Sequence, residues 1–160
     1  MQYLSIIILV LAFLISIRTQ ASACDTNRNP SASATVKNAD VIVRATAIEF
    51  IKDKGVKFRV EEVLKGEDVA STFIFTGHLT ERDDFNKGSI PYNHVRSSGH
   101  GPCNASEYKQ NAEYLFMLKQ IDNKLTPYWF PLAPNNEQLR SKDDEWLKWV
   151  KDYLQSNRKQ

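Results

Sequence analysis

Cys24 is the residue whose surroundings point most directly to chemistry. It follows the small-residue triplet Ala21-Ser22-Ala23, a pattern typical of cleavage sites in exported proteins. Depending on how the chain is processed, Cys24 becomes half of a disulfide bridge, a lipid-modified anchor or the first residue of the mature protein. Each outcome gives its sulfur atom or its α-amino group a different function.

The segment before Cys24 predicts export. An apolar run from Ile6 to Ile17 is shorter than the roughly 20 residues that span a bilayer, and it has the length of the apolar part of a signal peptide. We therefore predict a signal peptide over residues 1–23 and a secreted or otherwise extracytoplasmic mature protein. An uncleaved N-terminal anchor is the alternative.

A membrane-anchored lipoprotein is a second alternative. The sequence Ala-Ser-Ala-Cys is an imperfect lipid-attachment box, because leucine is usual three residues before the cysteine. A lipid on Cys24 would also leave Cys103 without a partner. For a chain cleaved before Cys24, we expect contact with a membrane only if Cys24 is lipidated.

The chain has two cysteines, Cys24 and Cys103, and export would bring both into an oxidising compartment. An internal Cys24–Cys103 bridge is the default expectation, and it would join the new N-terminus to the middle of the domain. Two free thiols or an intermolecular bond remain the alternatives.

Residues 77–107 carry the other chemically capable side chains. His94, His100 and Cys103 could hold a metal ion, but their spacing matches no strong zinc pattern, so exposed histidines are the preferred interpretation. Asn104 begins a glycosylation sequon. The acids Glu81, Asp83 and Asp84 lie among basic residues and predict a solvated loop rather than a catalytic pair.

Composition and motifs exclude several classes of function. A formal charge of +2 without clustered lysine and arginine argues against nucleic acid as a partner. The chain contains no Gly-x-Ser-x-Gly elbow, no His-Glu-x-x-His zinc motif and no phosphate-binding loop. We therefore predict a non-enzyme without a cofactor.

Short strands fill most of the mature chain. Residues 39–51 and 56–64 are rich in β-branched residues or alternate between apolar and polar side chains, which predicts strands with a turn between them. Residues 69–77, 112–120 and 124–133 predict three more. Residues 27–35 are predicted to be irregular, and residues 77–107 are predicted to form a long loop, with short strand pieces inside it as the alternative.

The last twenty residues, 141–160, predict an amphipathic helix. Ser141 is the expected N-cap, and an apolar stripe begins at Trp146 and recurs at helical spacing. The stripe predicts that this helix packs on the sheet. About five strands followed by one helix indicate a mainly β fold, a small barrel or sandwich.

The order of these parts resembles the netrin-like module, the OB-fold barrel found in tissue inhibitors of metalloproteinases and in the N-terminal domain of agrin. The matching segments are Cys24 at the presumed mature start, ADVIVRATA, FRVEEVLKGED, Cys103 after a long loop, NAEYLFMLK and TPYWFPLAPNNEQL. The resemblance implies an OB-fold-like barrel over residues 24–140. It also implies a bridge between the first cysteine and a central one, which fits Cys24–Cys103.

The resemblance implies a binding role outside the cell. In the inhibitors, the α-amino group and carbonyl of the N-terminal cysteine chelate the zinc of the protease, so Cys24, Asp25 and Thr26 are the expected inhibitory residues and a zinc metalloproteinase is the sharpest candidate partner. Asp25 stands where the inhibitors carry serine or threonine, and Thr26 replaces the second cysteine of their Cys-x-Cys start.

A second hypothesis is a non-inhibitory module that recognises an extracellular protein or glycan surface. Under this hypothesis the long loop supplies the contacts, since loops on rigid scaffolds often bind partners. The residues expected to make them are Tyr92, His94, Arg96 and His100.

Overall fold

The computed structural model describes residues 30–96, 105–122, 124–128 and 132–157. The chain forms a mainly β fold with an antiparallel sheet and a C-terminal helix, which confirms the predicted fold class at that level. In chain order the elements are α1 (Ala32–Asn38), β1 (Val41–Ile51), β2 (Gly55–Lys65), β3 (Thr72–Phe75), β4 (His78–Thr80), β5 (Glu107–Lys109), β6 (Glu113–Ile121), β7 (Lys124–Pro127), β8 (Asn136–Gln138) and α2 (Glu145–Asn157).

The main sheet is built around β1. Its strand order is β3-β2-β1-β6-β7, with β8 pairing on β6, and every pair in it is antiparallel. The β1–β2 turn ends at Gly55, whose φ of 117° and close approach to the Phe75 carbonyl leave no room for a Cβ atom. β4 and β5 form a separate parallel pair.

An inner core fills one face of the sheet. Alternate residues of β1 and β6 point into it, and Phe58 lies at its centre with its ring centroid 4.7 Å from that of Phe116. We call the following residues the inner core: Val41, Val43, Ala45, Ala47, Val56, Phe58, Phe73, Phe75, Tyr108, Tyr114, Phe116 and Leu118.

The two helices cover part of the opposite face. Trp146, Leu147 and Val150 of α2 are buried there against Ile42 of β1, and α1 packs beside them. The predicted packing of the C-terminal helix on the sheet is therefore confirmed. Within the described part of the chain, no helix has the length and apolarity needed to cross a membrane.

The N-terminal lead-in differs from the sequence prediction. Residues 27–35 were expected to be irregular, but α1 begins at Ala32 after Ser31, whose side chain accepts a hydrogen bond from the Ala34 amide at 3.2 Å. The helix is short and contains β-branched Thr35 and Val36, both fully buried. Packing on the sheet outweighs their weak helix propensity.

The start of α2 also differs from the prediction. Asp144, not Ser141, is the N-cap: its Oδ1 accepts from the Trp146 amide at 2.8 Å, and its carbonyl accepts from the Lys148 amide at 3.0 Å. The Ser141 hydroxyl instead accepts from the Asp143 amide at 3.1 Å, within the preceding turn.

The last predicted strand, 124–133, is shorter than expected. β7 ends at Pro127, which cannot donate to a ladder, and the chain re-enters the sheet later as β8. β8 was not predicted, because its polar sequence Asn-Glu-Gln lacks both an apolar run and alternation. Its three residues are nevertheless all buried.

Candidate functional site

Arg96 is the centre of the most polar buried region that the structure describes. Only 1% of its surface is exposed, and its guanidinium group donates three hydrogen bonds. They go to the Asn136 carbonyl at 3.0 Å, the Asp84 carboxylate at 2.6 Å and the Glu107 carbonyl at 2.7 Å. One side chain therefore ties together the long loop, β5 and β8.

Two tyrosine rings complete the surroundings of Arg96. Its guanidinium carbon lies 5.2 Å from the ring centroid of Tyr108 and 5.2 Å from that of Tyr114. A desolvated guanidinium over aromatic faces is a favourable cation–π arrangement. Burial raises the pKa of Tyr114 to about 12 and the pKa of Tyr108 above its usual range, so both hydroxyls stay neutral.

Glu137 is the second charged residue of this region and is fully buried. Its two carboxylate oxygens accept from the Arg96 amide at 3.0 and 3.3 Å, and Oε2 also accepts from Asn86 Nδ2 at 3.1 Å. The same Asn86 amide group donates to the His94 carbonyl at 2.7 Å. Glu137 therefore holds the long loop at two positions, Asn86 and Arg96.

The ionisable groups of this region perturb one another. Burial raises the pKa of Glu137 to about 7, although the charge of Arg96 opposes the shift. Burial also raises the pKa of the Asp84 carboxyl, against the opposing charge and hydrogen bond of Arg96. We call Asp84, Asn86, Arg96, Asn136 and Glu137 the Arg96 cluster.

Asn136 joins the cluster to β5. Its Nδ2 donates to the Ala105 carbonyl at 2.6 Å and to the Tyr108 hydroxyl at 2.9 Å. Its Oδ1 is buried and has no hydrogen-bond partner among the described residues. Both hydrogen bonds that the Asn136 side chain donates are buried. Asn136 therefore has a structural role, in which it connects β8 to β5 and to Ala105.

A cleft of about 480 Å³ lies beside the cluster. Asp83 lines it, accepting from Lys109 Nζ at 2.8 Å and from Gln138 Nε2 at 2.7 Å. The Lys109 hydrogen bond holds the pKa of Asp83 below its usual range. The guanidinium carbon of Arg140 lies 4.9 Å from the centroid of the Phe85 ring, at the same cleft.

Arg140 is fixed by the long loop. It donates to the Asn86 carbonyl at 2.9 Å and to the Tyr92 hydroxyl at 3.3 Å. About half of its side chain remains exposed. The loop therefore both lines the cleft, through Asp83 and Phe85, and orients the cation at its rim.

Most of the residues predicted to be functional lie outside the described ranges. Cys24, Asp25 and Thr26 precede Pro30, and His100, Cys103 and Asn104 fall between residues 96 and 105. The disulfide bridge, the inhibitory N-terminus and the glycosylation site therefore stay predictions.

The described part of the long loop corrects two expectations. Tyr92 and Arg96 were expected to contact a partner, but they are 4% and 1% exposed and are committed to internal contacts. Asp84 was expected in a solvated loop and instead pairs with Arg96. His94 is exposed, and the described residues contain no group of three or more metal-ligating side chains.

Sequence reasoning missed Glu137, although one feature pointed to it. It is the only charged residue between Leu125 and Leu139. A lone acid in such a stretch is expected to be buried and to need partners, since an isolated buried carboxylate is costly. Those partners, Asn86 and Arg96, are distant in sequence.

Comparisons with family models, with curated proteins and with solved structures found no match to this chain. The chemistry of the site therefore has to be judged from its own residues. The Arg96 cluster can anchor a loop and hold a proton on Glu137. The neighbouring cleft offers fixed charges and an aromatic ring to a polar ligand or a protein surface.

Proposed function

We propose that this chain is an exported, non-catalytic binding module of the netrin-like type, built on an OB-fold-like barrel and tied by a Cys24–Cys103 bridge. Its partner is an extracellular protein. Inhibition of a zinc metalloproteinase through the mature N-terminus is the sharpest form of the proposal.

The path of the strands supports the barrel. β1 pairs with β2 on one side and β6 on the other, and β2 continues to β3. β4 follows β3 after two residues and pairs with β5, which precedes β6 by three residues. The described pairings form two separate sheets, so the proposed barrel requires the short links β3–β4 and β5–β6 to bring the β4–β5 pair beside the main sheet.

The observation that carries the binding role is the anchoring of the long loop. The backbone amide of Asp84 donates a hydrogen bond to Gln138 Oε1 at 2.7 Å. The Asn86 side chain and the Arg96 backbone amide both donate to the carboxylate of Glu137. Three attachments to β8 fix the loop before any partner arrives. A surface fixed in advance loses little conformational entropy on binding, which favours recognition.

The inhibitory form of the proposal depends on Cys24. An α-amino group titrates near neutral pH, so a free N-terminal Cys24 can offer a neutral amine and a carbonyl oxygen to an open zinc position. The side chain of Asp25 would then enter the specificity pocket of the protease, next to its zinc. Its carboxylate opposes binding in an apolar pocket and favours a protease whose pocket carries a cation.

The first test is the intact mass and N-terminal sequence of the natively exported protein, reduced and unreduced. We expect a start at Cys24 and a two-dalton difference for one internal disulfide. A lipid-modified Cys24, or a start upstream of it, would contradict the inhibitory mechanism. The same spectrum reports any glycan on Asn104.

The second test is inhibition of a panel of zinc metalloproteinases. The protein that begins at Cys24 is compared with a matched variant that carries one extra alanine before Cys24, which removes the free α-amine from that position. We expect inhibition only by the first protein. Equal inhibition by both, or none by either, rules out chelation by Cys24, while Asp25→Thr reports the effect of the carboxylate on protease selectivity.

A further inference from the structure

The Arg96 cluster contains one cation and two carboxyl groups. Arg96 is always charged, and its guanidinium group pairs directly with Asp84 at 2.6 Å. Glu137 receives its hydrogen bonds from a main-chain amide and a side-chain amide, both neutral donors. These hydrogen bonds favour the ionised carboxylate, but the complete burial of Glu137 opposes ionisation more strongly. Because burying an uncompensated charge is costly, the balanced form of the cluster has ionised Asp84 and a proton on Glu137.

We propose that Glu137 is a pH-dependent latch for the loop formed by residues 83–96: its neutral form keeps this loop on β8, and its ionised form favours release. The geometry places the latch where it can act. Glu137 contacts the loop at Asn86 and Arg96, and its neighbour Gln138 holds the loop at Asp84.

The titratable groups around the latch come from three elements. The loop contributes Arg96, Asp84 and, farther out, Lys87, which acts on Asp84. β5 contributes the carboxylate of Glu107, which also acts on Asp84. From β6, the Tyr114 hydroxyl is neutral. Among these groups, Arg96 is therefore the one cation that acts directly on Glu137. Its guanidinium group is already paired with the carboxylate of Asp84.

The direction of the pH effect follows from proton linkage. Burial raises the pKa of Glu137 from 4.5 to about 7, so the closed loop binds the proton more tightly than a released loop does. The closed form is most favoured below pH 4.5, and its advantage falls as pH rises through 7. Ionisation at higher pH leaves two carboxylates against one buried cation.

Release of the loop would dismantle the neighbouring cleft. Asp83 and Phe85 belong to the loop, and Arg140 is held by the Asn86 carbonyl and the Tyr92 hydroxyl. Protonation of one buried carboxyl thus controls a surface that carries both charges and an aromatic ring. This inference does not rest on the proposed function, since its readouts are a titration and a loop opening.

The experiment measures amide hydrogen-exchange protection in the full mature protein at about pH 5.5 and about pH 8.5, corrected for intrinsic exchange. The amides of Asp84, Gly88 and Arg96 report the loop, because each donates a hydrogen bond in the closed form. We expect the protection factors of these amides to be lower at pH 8.5 than at pH 5.5, by about tenfold or more. The amides of β1 serve as the control and should stay protected.

Two variants decide the cause. Glu137→Gln carries no titrating group and should make loop protection independent of pH over this range. Asp84→Asn frees Arg96 to balance an ionised Glu137, so the carboxyl titration of Glu137, followed by NMR, should move to lower pH. If Glu137→Gln does not fold, the titrations in the original protein and in Asp84→Asn still test the proposal.

Two results would overturn the latch. One is a Glu137 carboxyl that titrates near 4.5 in the original protein. The other is a loop whose protection changes with pH equally in the original protein and in Glu137→Gln.

Discussion

The inner core and the Arg96 cluster are both buried, yet different forces hold them. The inner core is apolar and aromatic, and contacts such as those of Phe58 with Phe116 and Tyr108 depend on shape and on exclusion of water. The Arg96 cluster depends on directed hydrogen bonds and on a balance of charge. Although both regions are buried, we therefore expect only the stability of the Arg96 cluster to depend on pH.

The largest difference should appear when the cation is removed. Arg96→Met keeps an apolar stem but leaves the carboxyls of Asp84 and Glu137 without their counter-ion, which typically costs about 3–5 kcal/mol. The loss should be greater at pH 8 than at pH 5, because removal of Arg96 favours protonation of both acids. Urea unfolding at the two pH values measures the effect.

Phe58→Ala is the matched control from the inner core. It removes a fully buried aromatic side chain and should cost about 3–5 kcal/mol, a loss similar at both pH values because no ionisable partner is stranded. The comparison fails if the Arg96→Met loss is as independent of pH as the Phe58→Ala loss.

The same contrast explains what the sequence could predict of the fold. β1, β2 and β6 were predicted because apolar or β-branched side chains recur along them, and the helical stripe from Trp146 predicted α2. Periodicity records which face of an element is apolar. It carries no information on strands such as β8, where three polar residues are buried by partners from elsewhere in the chain.

The candidate site was less predictable for a related reason. Arg96 and Glu137 are 41 residues apart, and no sequence pattern links the one to the other. Only the folded loop brings them together. The N-terminal residues Cys24, Asp25 and Thr26 lie outside the described ranges, so their predicted role depends on the resemblance and on the tests above.

A smaller effect is expected where a buried carboxylate accepts its hydrogen bonds from backbone amides and its nearest cation, the Arg140 guanidinium, lies 3.8 Å away. Asp144 is 6% exposed and accepts from the amides of Trp146 and Arg140 at 2.8 and 2.9 Å. Asp144→Ala should lower the free energy of unfolding by about 1 kcal/mol through loss of the α2 cap.

Asp144→Asn is the control for this cap, because it keeps a side-chain oxygen that can accept the Trp146 amide. It should recover most of the lost stability in the same urea unfolding assay. A loss from Asp144→Ala as large as that from Arg96→Met would mean that the carboxylate belongs to a wider charge network.

The smallest effect is expected for an ion pair that, like Arg96–Asp84, joins one cation to one carboxylate but lies in solvent. Lys57 Nζ lies 3.0 Å from Glu49 Oε1, and the side chains are 34% and 53% exposed. A double-mutant cycle with Lys57→Met and Glu49→Gln should give a coupling energy below about 0.5 kcal/mol that decreases further with added salt. The Arg96–Asp84 pair, measured in the same way with Arg96→Met and Asp84→Asn, should give a larger and less salt-sensitive value. If the two coupling energies were equal, burial would not be what distinguishes the Arg96 cluster, and its role as a fixed anchor for the loop would have to be abandoned.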